Sequence, residues 1–207
     1  MATQILLKIP FVGDGGVGKT SIISRLMGEA FSQSYLLTIG ANFFVKKMKV
    51  DQTEVGVQLW DTAGQQRFTS LRPMFYKGSF AVVLVYDITR RETFNNLQHW
   101  LNEIQRETPD VTISILGNKI DLEDQRLVST GEGRNYATSV GAIFGETSAK
   151  TGQGIEEALY QLVQTVCAKF IEPERELKPE KELKTTVHPQ LLMDDEFALF
   201  ELREVRR

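Results

Sequence analysis

Cysteine is nearly absent from this 207-residue chain: Cys167 stands alone, so no intrachain disulfide can form and a reducing compartment is expected. Cys167 falls on an apolar helical pattern and reads as a small core residue. No apolar run approaches the ~20 residues that a membrane-spanning helix needs. The opening Met1-Ala2-Thr3-Gln4 lacks the basic-then-apolar layout of a signal peptide, and position 2 is not the Gly of an N-myristoylation signal. Nor is there an excess of basic charge. With 24 Lys and Arg against 27 Asp and Glu, the net charge of −3 leaves no electrostatic footprint for nucleic acid, and no nucleic-acid partner is expected. Proline is scarce too, and three of its six occurrences, Pro173, Pro179 and Pro189, cluster near the end.

What is present suits a globular protein. Hydrophobic residues make up 42% and charged residues 25%. The length fits one domain plus an appendage and can bury a core without staples. Residues 1–171 carry 17 basic and 17 acidic side chains, whereas residues 172–207 carry 7 and 10, so the net negative charge sits in the appendage.

The most constrained stretch is Gly13-Asp14-Gly15-Gly16-Val17-Gly18-Lys19-Thr20, which fits the pattern of Gly, four free positions, Gly, Lys and Ser or Thr. Glycines let such a loop wrap closely around a phosphate. The amides of Gly15, Gly16, Val17 and Gly18 then form an anion nest that runs on through Lys19, Thr20 and Ser21 into the positive end of a helix. Lys19 would reach the β- and γ-phosphates as a point charge, and the Thr20 hydroxyl would serve Mg²⁺. The bland alternative is a Gly-rich turn before an ordinary helix. The context favours the phosphate loop, because the apolar run Ile5–Val12 reads as a buried strand and Ser21–Leu26 as a helix.

Beyond this point the chain alternates. A loop spans Gly28–Ala41. Residues 42–50 and 54–60 read as an antiparallel hairpin joined by Asp51-Gln52-Thr53, followed by a loop at 61–66. A helix is expected over 66–76, with Pro73 as an irregularity. Phe80–Tyr86 is continuously apolar, as a strand buried on both faces would be. A helix at 93–107, a strand at 111–116, a helix at 131–140, a short strand at 142–146 and a long helix at 154–171 complete the pattern. The expected fold is doubly wound α/β: six strands, mostly parallel with one antiparallel edge hairpin, and about five helices on both faces. Ligands in such folds lie beyond the carboxyl ends of the strands. The domain is expected over 1–171, a charged, Pro-containing linker over 172–189 and an amphipathic, helical segment over 190–207.

A phosphate loop alone suits an ATPase, a kinase or a GTPase. Asn118-Lys119-Ile120-Asp121, just after the fifth strand, discriminates among them. The Asp121 carboxylate can accept from N1–H and the 2-amino group of guanine, and adenine offers neither donor. A desolvated Asp left unpaired against adenine gives a selectivity of several kcal/mol. The stem of Lys119 would lie along the base face. An Asn/Asp-rich turn is the alternative for so short a motif.

With these motifs in hand, residues 5–171 resemble the Ras superfamily of small GTPases, the P-loop NTPase small G domain, and within it the Rab family. The resemblance implies further roles. Thr38 would close over Mg²⁺ and the γ-phosphate, and Asp61 would hold a Mg²⁺-bound water. The Gly64 amide would meet the γ-phosphate, and Gln65 would orient the attacking water. Gln65, Lys19 and Thr38 are thus the catalytic set, and Thr20, Thr38 and Asp61 the metal set. Phe31 would pack on the guanine, the backbone of Ser148 and Ala149 would reach it, Lys150 would lie beside it, and Tyr35 joins the nucleotide-binding residues. Phe43, Trp60 and Phe75 stand where Rabs carry an effector-reading aromatic triad; plain packing between the switches is the alternative for Trp60.

The resemblance has departures. Asn42 stands where Rabs carry Asp and Gln66 where they carry Glu, which bears on exchange-factor action. Gly15 leaves room for an arginine finger supplied in trans. No Cys follows Cys167, so the usual prenyl anchor is not expected. Membrane contact would then be indirect or run through residues 190–207, on a monomeric, cytoplasmic protein that is at most peripheral on membranes. The implied function is a Mg²⁺-dependent GTP/GDP switch in vesicle traffic, with effectors, an exchange factor and a GTPase-activating protein as partners. No Arg occupies an obvious finger position, so slow unaided turnover is expected. The rivals are a guanine-nucleotide scaffold with negligible hydrolysis and a nucleotide kinase. Gln65 argues against the first, and the lack of an Arg-rich lid stretch against the second.

Overall fold

A computed structural model describes residues 5–31, 41–51, 53–62 and 72–170. Six strands form one sheet: β1 (Ile5–Val12), β2 (Ala41–Val50), β3 (Thr53–Thr62), β4 (Ala81–Asp87), β5 (Thr112–Asn118) and β6 (Ile143–Thr147). Their spatial order is β2-β3-β1-β4-β5-β6. Only the β2–β3 edge pair is antiparallel, and the others run parallel. The helices are α1 (Lys19–Leu26), α2 (Arg72–Tyr76), α3 (Arg91–Asn95), α4 (Leu97–Glu107), α5 (Thr130–Ser139) and α6 (Ile155–Phe170), with a 3₁₀ turn at Ile120–Gln125.

Strand alternation sorts the core into two layers. Ala81, Val83 and Val85 of β4 pack with Leu7, Ile9 and Phe11 of β1 under α1 and α6. The intervening Val82, Leu84 and Tyr86 face Leu97, Trp100, Leu101 and Ile104 of α4 and Ala137 of α5. Every residue of β4 is buried, because helices cover both faces of this central strand.

Most expected elements are present, with shifted bounds that matter for function. β3 runs on through Asp61 and Thr62, which the sequence places in a loop. Asp61 is in register with Phe11 of β1 and Asn42 of β2, so ladder pairing on both sides extends the strand. β5 likewise continues to Asn118, which is paired with Asp87 and Thr147. The single helix expected at 93–107 begins at Arg91 and breaks at Asn96. The 3₁₀ turn was not foreseen: it follows Lys119, whose backbone is left-handed (φ 74°), a conformation that does not propagate an α-helix. α5 opens with a capping box, in which the Ser129 hydroxyl accepts from the Glu132 amide and the Glu132 carboxylate accepts from the Ser129 amide. Of the helix expected at 66–76, the part before Arg72 lies outside the described residues, as do residues 171–207.

Candidate functional site

The loop Gly13–Gly18 sits at the carboxyl end of β1, against β4 and β5. Two of its glycines are fixed by close approach. A Cβ on Gly13 (φ +135°) would lie 2.2 Å from the Val85 carbonyl oxygen, and one on Gly18 (φ +103°) would lie 2.2 Å from Asn118 Nδ2. Any side chain there collides and is also forced into a left-handed backbone. Val17 is fully buried and anchors the loop in the core.

Lys19 begins α1 and is 5% exposed. Its Nζ donates to the carbonyls of Gly13 and Asp14, each at 2.8 Å, so the ammonium lies inside the curl of its own loop. The next residue, Thr20, donates its hydroxyl to Asp61 Oδ2 at 2.7 Å. Asp61 is 1% exposed, and among the described residues its Oδ1 has no hydrogen-bond partner. Burial pushes the Asp61 carboxyl up, opposed by the Thr20 hydrogen bond and the Lys19 charge. A buried carboxylate with an orphaned oxygen, bonded to a hydroxyl, is a donor set that fits a hard cation such as Mg²⁺.

The Asn118–Asp121 stretch and the loop after β6 form one assembly. Asn118 Nδ2 donates to the Val17 carbonyl at 2.8 Å, while Asn118 Oδ1 accepts from the Thr147 hydroxyl and the Ala149 amide, both at 3.2 Å. One side-chain amide thus ties the phosphate loop to β5 and to the loop after β6. Asp121 Oδ1 accepts from Ser148 Oγ at 2.6 Å, and Lys150 Nζ lies 3.9 Å from Oδ2. Part of the Asp121 carboxylate remains exposed for a base edge. The Ser148 amide donates to the Gln153 carbonyl, so both amides expected to reach the base have partners within the chain.

Several residues at this site carry no motif. Asp87, the last residue of β4, is fully buried and accepts from Lys119 Nζ at 2.6 Å, Arg90 Nε at 3.1 Å and the Thr89 hydroxyl at 2.7 Å. Burial raises the Asp87 carboxyl, but the hydrogen bonds from Lys119 and Thr89 outweigh it and leave it below its ordinary value. Arg90 Nη2 donates to the Gly15 carbonyl at 2.9 Å. Asp14 accepts from Trp100 Nε1 and from Asn96 Nδ2, each at 2.8 Å. A carboxylate ending an otherwise apolar strand is a signal that could have flagged Asp87. Arg90, Asn96 and Trp100 have none, since only the fold carries α3 and α4 to the loop.

The remaining candidates lie further out or outside the described residues. Ser21 is half-buried in α1, and Phe31 is exposed on the loop that follows it. Tyr35, Thr38, Gly64 and Gln65, together with Gln66, fall outside the described residues. On the opposite edge, Phe43 stacks on Trp60 with centroids 5.5 Å apart, and Trp60 meets Phe75 at 6.2 Å. Beneath them Lys8 Nζ sits 4.7 Å from the Trp60 ring centroid and donates to the carbonyl of Lys77 at 2.8 Å.

Comparison with known proteins gives a consistent result. The Ras family model matches residues 8–168. The chain is 41% identical to the Ras-related protein Rab-8A of Gallus gallus over 166 residues, 80% of either chain. It is 37% identical to the Ras-related protein Rab-10 of Caenorhabditis elegans over 188 residues, 90% of this chain and 92% of that one. Against the Ras-related protein Rab-8B of Homo sapiens the identity is 39% over 166 residues, again 80% of either chain.

Proposed function

The chain belongs to the Ras family, as a Rab-like small GTPase that hydrolyses GTP to GDP and phosphate, and on that premise we propose how its residues divide the work. The phosphate chain lies in the nest of Gly15–Gly18, with Lys19 as the fixed cation and Thr20 and Ser21 completing the helix end. The guanine is read by Asp121, which Ser148 holds in place. Asn118 locks the two halves of the site together, and Lys119, pinned by Asp87, lies along the base. Phe31, Tyr35, Ala149 and Lys150 complete the base end.

Thr20 and Asp61, with Thr38, are the residues that would hold Mg²⁺; the ion supplies charge neutralisation on the phosphate oxygens when bound. Gln65 orients the water for in-line attack on the γ-phosphorus. Lys19 and the loop amides offset the charge that develops there. Thr38 and Gly64 sense whether the γ-phosphate is present, and the switch state follows from that. Phe43, Trp60 and Phe75 offer a ring cluster for an effector. The biological setting is vesicle traffic, with exchange and activating proteins as regulators.

The observation that carries this assignment is the meeting, at the end of β1, of an enclosed lysine, a Thr–Asp pair and an orphaned carboxylate oxygen. Displacement of a fluorescent GDP analogue from the full chain tests it. GDP and GTP are expected to compete and ATP to fail at large excess; ATP competing as well as GDP would sink the guanine assignment.

A further inference from the structure

The loop that cradles the phosphates is gripped by two cations, and the sequence motif accounts for only one. Lys19 Nζ takes the carbonyls of Gly13 and Asp14. Arg90 Nη2 takes the next carbonyl, that of Gly15. Three successive carbonyls on one arc are thus held by an ammonium from inside the loop and a guanidinium at its rim.

Arg90 has to share its buried counter-charge. Its Nε shares the Asp87 carboxylate with Lys119, whose Nζ is closer, 2.6 Å against 3.1 Å. One buried carboxylate thus serves two cations. The nearest other anion, Glu92, is an exposed residue 3.9 Å from Arg90 Nη1 and screened by solvent. Among the described residues no acceptor takes the Nη1 hydrogens. The side chain is 36% exposed, so its head has room to leave a neutral carbonyl. A clamp on a carbonyl needs only a neutral donor. A charged fork with spare donors, at the rim of a phosphate nest, suits an anion better.

We infer that Arg90 is a catalytic residue supplied by the chain itself: with GTP bound, its guanidinium turns from the Gly15 carbonyl to the phosphate chain and stabilises charge in the transition state. The inference rests on the GTPase assignment and deepens it. The reaction is ordinary hydrolysis. A water oxygen bonds to the γ-phosphorus, and the bond from that phosphorus to the bridging oxygen breaks. The electron pair of the broken bond stays on the β-phosphate of GDP. One water proton remains on the phosphate released and the other passes to solvent. Arg90 transfers no proton; it offsets the negative charge that shifts towards the β-phosphate. The expectation of slow unaided turnover rested on the lack of an arginine at the loop, and Arg90 removes that premise.

The test is single-turnover GTP hydrolysis by the full-length chain without any partner, comparing the parent with Arg90→Ala and Arg90→Lys. Nucleotide affinities and binding of GDP with aluminium fluoride, a mimic of the transferring phosphoryl group, are measured alongside. A cis arginine separates GTPases that have one from those that lack it by on the order of 20-fold in unaided rate. Arg90→Ala is therefore expected to lose about that factor and to lose the aluminium fluoride complex, with GDP and GTP affinities within about threefold of the parent. Arg90→Lys keeps the cation beside Asp87, so it guards against misfolding, and is expected to fall between the two. Equal rates in all three proteins, or an equal loss of GDP and GTP affinity with the rate unchanged, overturn the inference and leave Arg90 as a clamp on the loop. Absence of hydrolysis in the parent would instead strike at the GTPase assignment itself.

Discussion

Single residues at this site act through what they leave unpaired. Asp121 has one oxygen committed to Ser148, and on the proposed reading the remaining acceptor capacity of its carboxylate takes two donors from guanine. Asp121→Asn replaces an acceptor by a group that also donates. Guanine then meets a donor where it needs an acceptor, while xanthine, with a carbonyl in place of the 2-amino group, gains a partner. Affinity for GDP is expected to fall by about 100-fold or more and affinity for xanthosine diphosphate to rise, as read by competition binding. Unchanged GDP affinity would remove Asp121 from base recognition. Asp61 makes a parallel case for the metal. Chelation of Mg²⁺ is expected to speed GDP release from the parent by at least about tenfold, because the positive charge that Thr20 and Asp61 would hold beside the phosphates is removed. In Asp61→Asn release is already fast and the chelator adds little. A chelator effect of full size in that variant would place the metal elsewhere. At this scale the sequence was most readable where a motif fixes both type and spacing, as at Lys19, Thr20 and Asn118. Asp87 and Arg90 escaped because their meaning is a meeting of β4, β5 and the phosphate loop, residues far apart in the chain.

Among the elements, β1 carries a tension that its sequence shows only as a lone polar letter. Lys8 lies between Leu7 and Ile9, on the face of β1 away from α1 and α6, and is 9% exposed beneath Trp60. Burial pulls its ammonium down to about 8. The unfolded chain therefore binds the Lys8 proton more tightly than the folded one does. Charging Lys8 costs stability below about pH 8, and that cost fades as pH rises from about 8 towards 10.5. Full relief amounts to on the order of 3 kcal/mol as an upper bound. Denaturant unfolding of the parent relative to Lys8→Met should show the parent gaining ground between pH 8 and 10. The Nζ donates to the carbonyls of Met74 and Lys77, so the same group joins β1 to α2 and its following turn. A difference that is flat with pH would mean the amine stays charged throughout. The run Ala81–Tyr86 of β4 announced itself, because burial on both faces leaves no charged position before Asp87 at its end. The break between α3 and α4 at Asn96 did not: Asn96 turns its side-chain amide to Asp14, and that contact exists only once the sheet has formed.

For the whole molecule, the question is what the residues after α6 add to the G domain. Among the described residues α6 contributes Ile155, Leu159, Leu162, Val163, Val166 and Cys167 to the core layer that it shares with α1. The Ras family match stops at 168. A chain ending at Ile171 is therefore expected to hydrolyse GTP at the parent rate and to unfold within a few degrees of it. Among the described residues no helix is long and apolar enough to cross a membrane. The last 36 residues are the first candidate for any peripheral membrane contact, since acidic and basic side chains there are interspersed with Leu191, Leu192, Phe197, Leu199, Phe200 and Leu202. Liposome flotation of both forms, each loaded with GDP or a GTP analogue, separates the possibilities. Flotation of the full chain alone assigns membrane contact to the C-terminal segment, on the strength of its apolar residues, since its net charge would oppose binding to anionic lipid. Flotation of neither form in either state, with hydrolysis intact in both, points to a protein partner that brings the switch to its membrane, and the exposed ring of Phe43 with the half-buried ring of Phe75 around Trp60 is then the first surface to mutate.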